Sequence, residues 1–110
     1  MYRSILNDVK KMLGPDNDTV FDEELIMFIN NELETLSQVG ACPKGSCITS
    51  NLNTWSDIFD DQGIVSKAKA FIFYEVKLSF DPPQSSFAIE SFKKKADEAL
   101  WRINHDADFE

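Results

Sequence analysis

The residues able to do chemistry in this chain are few: two cysteines, one histidine and scattered carboxylates. The cysteines stand close together in Cys42-Pro43-Lys44-Gly45-Ser46-Cys47. A structural zinc takes four ligands, and beyond this pair the chain offers His105 and no second cysteine pair. Redox pairs use a two-residue spacer, whereas four residues separate these thiols. The pair therefore reads as two reduced thiols on a Pro-Gly turn. Asp16-Asn17-Asp18 opens like a calcium loop, but Phe21 stands where such a loop needs Gly and Met27 where it needs Glu. There is no Gly-rich phosphate loop and no Gly-x-Ser-x-Gly elbow. His105 sits close to an end expected to fray, a poor mount for a general base. Glu23-Glu24 and Asp97-Glu98 are sequence neighbours, which do not share a helix face. Lys93-Lys94-Lys95 fan across about 200° of helix surface and read as a solvated face. No catalytic residue, metal-ligand set or cofactor site is expected.

Hydrophobic spacing gives the elements that carry these side chains. Ile5, Leu6, Val9, Met12 and Leu13 fall on one helical face within residues 2–13, and Gly14-Pro15 stops that helix. A second helix follows the turn Asp16-Asn17-Asp18-Thr19, with Asp18 or Thr19 as cap and Leu25, Ile26, Ile29, Leu33 and Leu36 as stripe. Gly40 ends it. Residues 41–53 read as a long loop, of a length that tends to be functional or mobile. Thr54 caps a short helix over 55–60, closed by Asp61-Gln62-Gly63. Residues 64–80 carry a strand-like alternation at Tyr74, Val76 and Leu78. The run is too long for a strand, and its centre, Ala70-Phe71-Ile72-Phe73-Tyr74, is apolar nearly all round, which predicts a central core helix. Asp81-Pro82-Pro83 ends it. Ser85 or Ser86 caps a last helix with the stripe Ala88, Ile89, Phe92, Ala96, Ala99, Leu100 and Ile103. The expectation is an all-α fold of four principal helices plus a short one. Residues 1–104 form one domain and residues 105–110 an acidic, flexible tail.

The chain of 110 residues carries 11 Lys+Arg against 19 Asp+Glu, for a net charge of -8. So acidic a surface is unsuited to gripping DNA or an anionic membrane. The start, Met1-Tyr2-Arg3-Ser4, lacks the apolar region of a signal peptide, and no apolar run is long enough for a bilayer. The expectation is a soluble intracellular protein. The charge is uneven: residues 14–40 hold seven acids and no base. Such an element promotes solubility, faces a basic partner or repels a polyanion.

The last helix also carries aromatics off its stripe. At about 100° per residue, Trp101 falls opposite the face of Phe92, Ala96 and Ile103, and Phe87 is also well off it. Exposed aromatics mark interfaces. With Phe109, apolar in an acidic tail, they are candidates for contact with other chains.

The order of these features resembles a known family. Phe21-Asp22-Glu23-Glu24-Leu25 opens an acidic helix, Thr54-Trp55-Ser56-Asp57-Ile58-Phe59 follows, the aromatic helix ends Leu78-Ser79-Phe80-Asp81-Pro82-Pro83, and the last helix closes Leu100-Trp101-Arg102-Ile103-Asn104. Across nearly the whole chain this is similar to the head–tail connector (adaptor) proteins of tailed bacteriophages; the loop bearing Cys42 and Cys47 has no counterpart in that pattern. The resemblance implies a non-enzymatic, all-α virion protein, assembled in the host cytoplasm. It implies a ring of about twelve copies below the portal protein, docking a stopper or tail-completion protein and extending the DNA channel. DNA then slides through without specific binding, and no membrane is involved. On this reading Phe87, Trp101 and Phe109 meet neighbouring subunits or the portal, and Glu32, Glu34 and Lys44 face the channel. The alternative is a small acidic all-α regulatory or adaptor protein that binds one basic partner through its second helix.

Overall fold

The first helix begins where a hydroxyl can hold it. In the computed structural model, which describes residues 4–14, 19–59 and 62–108, Ser4 Oγ accepts the Asn7 N–H at 3.2 Å. Helix α1 then runs Ile5–Leu13 and buries Ile5, Leu6 and Val9. Gly14, at φ 149°, ends it with its N–H on the Lys10 carbonyl; that φ is open to glycine and strained for other residues.

A single 3-10 turn, Thr19–Phe21, leads into α2, Asp22–Gln38. The sequence suggests Asp18 or Thr19 as the cap. Instead Phe21 occupies the cap position and its side chain makes no capping bond; Asp18 lies outside the described residues. Three acids in the first turn, Asp22, Glu23 and Glu24, offset the positive end of the helix. Lys10 ties α1 to this turn through Asp22, at 2.8 Å.

The short helix α3 spans Trp55–Ile58, two residues less than expected. Asp57 Oδ2 accepts the Thr54 N–H at 2.8 Å. Phe59 leaves the helix with extended backbone and buries its ring instead. Helix α4, Gln62–Phe80, starts earlier than the spacing predicts and includes Gly63, read from sequence as a stop. Helix α5 spans Ser86–Asp108, with Ser85 Oγ accepting the Ala88 N–H at 3.0 Å. It continues past Asn104, where the sequence reading ends it.

Helix α4 lies at the centre, packed on α5, α2 and α1. Ala68, Phe71, Ile72 and Val76 are buried there. They meet Leu25, Ile29, Leu33 and Leu36 from α2, Ile5, Leu6 and Val9 from α1, and Ala96, Ala99 and Ile103 from α5. The strand-like alternation at Tyr74, Val76 and Leu78 is overridden because helical spacing lets α4 bury apolar residues against three neighbours at once. Phe92 closes the α4–α5 contact against Phe73 and Tyr74, with ring centroids 6.2 and 5.2 Å away. The described residues contain no strand; Ser4 and Thr54 form one isolated antiparallel bridge.

Candidate functional site

Side-chain amides fasten the second half of the long loop. Asn30 of α2 accepts the Ile48 N–H at 2.7 Å and donates to the Ile48 carbonyl at 3.0 Å. This mimics a strand pair and drives the Ile48 side chain into the core. Asn53 Oδ1 accepts the Thr49 N–H at 2.8 Å, and its carbonyl accepts the Ile5 N–H at 3.0 Å. Cys42 lies half-buried, its thiol donating to the Leu33 carbonyl at 3.6 Å, while Cys47 is exposed. Burial pushes the Cys42 thiol pKa up, and a hydrogen bond with Ser46 works against the shift.

The three residues expected to face a channel do not sit together. Glu34 and Lys44 line one open cavity of about 470 Å³ between the end of α2 and the loop, with Asn30 and Cys47 on its wall. Glu32 belongs to a different environment. Its carboxyl pKa is pushed up to about 7, first by burial and then by the charge of Glu75 on α4. Glu75 is raised in turn, by burial first and then by Asp97 on α5. Three carboxylates, one from each of α2, α4 and α5, thus form an electrostatic row across the bundle. Sequence reasoning missed it because it weighed neighbours along the chain. The available signal was position: Glu32 precedes Leu33 and Glu75 precedes Val76, so each flanks a core residue. The clasp made by Asn30 was missed for the same reason, since it follows core residue Ile29.

The aromatics expected at an interface stand outside the core. Phe87 is 85% exposed and Trp101 66% exposed, while Ala96 and Ile103 on the opposite side of α5 are fully buried. Trp101 stacks on His105 at 5.2 Å between ring centroids on the outer surface of α5. Phe109 lies outside the described residues. A shallow depression of about 660 Å³ runs beside Phe87, rimmed by Glu90, Lys93, Lys94 and Asp97. Met27 of α2 is also exposed, at 54%, as is Val20, at 74%, in the 3-10 turn that precedes the helix.

Among the described residues, no cluster of His, Cys, Asp and Glu could hold a metal ion. No helix there is long and apolar enough to cross a membrane. Comparison with curated proteins and with solved structures gives no match. A family model described as phage connector protein matches residues 5–110. That match takes in every helix, the fastened loop and the aromatic face of α5, and the chain belongs to the phage connector protein family.

Proposed function

We propose that this chain is the structural ring component joining head to tail, assembled in the host cytoplasm and retained in the virion. About twelve copies form a ring below the portal. The ring extends the DNA channel and presents a docking surface to a stopper or tail-completion protein. Family membership across almost the whole chain carries this reading. The exposed Phe87 and Trp101 on α5 are in keeping with a protein that contacts other chains.

In this reading Phe87 and Trp101, with Phe109 beyond them, contact neighbouring subunits or the portal. Glu34 and Lys44, on the rim of one cavity, face the channel. Glu32 lies in the acid row with Glu75, and with its carboxyl pushed up to about 7 it carries a full negative charge only above that pH. Acidic walls suit a conduit, because duplex DNA adheres by exchanging its counterions for protein cations. The net charge of -8 per copy, repeated around a ring, disfavours that exchange.

Particles made without this protein test the proposal. The expected result is DNA-packed heads without tails, restored to tailed particles when the protein is supplied. Tailed, infectious particles at normal frequency in its absence would contradict it.

A further inference from the structure

The turn that joins the two cysteines is anchored at its base on α2. On the side of Cys42, the Ala41 N–H donates to the Leu36 carbonyl at 2.9 Å. On the side of Cys47, Asn30 holds both backbone groups of Ile48. Between the cysteines the chain reverses: the Ser46 N–H donates to the Pro43 carbonyl at 3.2 Å, and Gly45 takes a φ of 83°. A β-turn with a positive φ at its third position brings its first and last Cα atoms within about 7 Å. The four residues that separate the cysteines are therefore the four of one turn, and each cysteine stands one residue outside it.

Side-chain contacts bring the two cysteines to the same place. The Cys42 thiol donates to the Leu33 carbonyl at 3.6 Å and is hydrogen-bonded with Ser46, the neighbour of Cys47. Cys47 borders the cavity walled by Glu34, Ser37 and Gln38, the helical turn that follows Leu33. Both cysteines thus lie against one stretch of α2. A disulfide needs Cα atoms about 4.4–6.8 Å apart, a separation within reach of residues that flank such a reversal. Both thiols are free, Cys47 exposed and Cys42 half-buried. That difference sets which of them meets an oxidant first.

We infer that Cys42 and Cys47 are a disulfide site, open in a reducing medium and closed by a small-molecule disulfide such as oxidised glutathione. The Cys47 thiolate attacks one sulfur of the oxidant and displaces a glutathione thiolate, leaving a mixed disulfide on Cys47. Cys42 then attacks the Cys47 sulfur; its weak bond to the Leu33 carbonyl is given up, the Cys42–Cys47 bond forms and the second glutathione leaves. Each protein thiol passes its proton through solvent to a departing glutathione. The two protein thiols lose two electrons and the oxidant becomes two thiols. The new bond closes the base of the turn and fixes Lys44 and Gly45 on the cavity rim. The pairing rests on the loop geometry alone. Its timing rests on the virion reading proposed above: a cytoplasm keeps thiols reduced during assembly, and the oxidising exterior closes the bond in released particles.

Mass spectrometry of the purified full chain in buffers of reduced and oxidised glutathione tests the pairing, with remaining thiols trapped by N-ethylmaleimide. Oxidised wild type is expected to lose two hydrogens, carry no glutathione and take up no maleimide. Cys42→Ser, checked for helix content by circular dichroism, is expected to stop at a stable mixed disulfide on Cys47. The constant for pairing is expected to be about tenfold or more larger in the folded chain than in urea, because the anchored turn holds the cysteines together. A constant no larger than in urea overturns the inference. So does a wild type that keeps glutathione on Cys47 with Cys42 free, or that links one chain to another. Trapping thiols before and after lysis of infected cells tests the timing, with both cysteines labelled inside cells and neither in released particles. Labelled cysteines in released particles overturn the timing and leave the pairing standing. Particles that lack the chain remove the virion reading and leave the pairing standing.

Discussion

The indole of Trp55 donates from Nε1 to Asp8 Oδ2 at 2.8 Å, across 47 residues of chain. The same carboxylate lies 3.5 Å from Lys69 Nζ, and that ammonium sits 5.3 Å from the centre of the Trp55 ring. One acid thus joins α1, α3 and α4. With the Ser4–Thr54 bridge and the bond from Ile5 to Asn53, it holds the end of the loop against the start of the chain. Removing the acceptor leaves a buried indole N–H without its partner. Asp8→Ala is expected to destabilise the fold by about 1–3 kcal/mol in urea denaturation. An unchanged midpoint would show that the contact contributes nothing.

The centre of the bundle gives a larger effect. Ile72 is fully buried on α4. Ile72→Ala removes apolar area and leaves a cavity that three packed helices fill incompletely. The expected cost is about 2–5 kcal/mol, read from the denaturation midpoint at constant slope. A midpoint within error of wild type would contradict the placement of α4 at the core.

The acid row makes stability depend on pH with an unusual sign. Folded Glu32 keeps its proton up to about pH 7, while its ordinary value is 4.5, so folding takes up a proton between those limits. Its contribution is therefore full below pH 4.5 and is lost as pH rises towards about 7. Glu75 is raised too and acts in the same direction. Glu32→Gln keeps the shape and removes the charge. It is expected to stabilise the protein at pH 8 by ~1 kcal/mol, after allowance for solvent screening, and to flatten the fall over this window. Equal pH profiles for the two proteins would show that Glu32 ionises as an exposed carboxylate does.

The two thiols differ in access. Cys47 is exposed, whereas Cys42 is half-buried, bonded to the Leu33 carbonyl and raised in pKa by burial. Alkylation at pH 8, followed by mass spectrometry, is expected to label Cys47 well before Cys42. Equal labelling rates would show that the loop opens faster than the reagent reacts.

How legible these features were depends on whether they are periodic. The stripes Leu25–Ile29–Leu33 and Ala96–Ile103 repeat at helical spacing, and the structure buries both. The aromatic run at 70–74 stood out as central because no polar face interrupts it, and α4 does contact three helices. The outward placement of Phe87 and Trp101 followed from the same arithmetic. Boundaries were harder. Phe21 carries no capping group, so no residue type announced where α2 begins, and Gly63 resembles a stop although it sits in the first turn of α4. Contacts distant in sequence were not legible. The clasp of Asn30 on Ile48, Trp55 on Asp8, and Glu32 beside Glu75 each join residues whose proximity exists only after the helices pack.

Native mass spectrometry of the purified protein, alone and mixed with its portal protein, tests the central claim most directly. The account predicts a closed assembly of about twelve copies, formed alone or on the portal. Monomers alone in both samples, from protein shown to be folded, would contradict it.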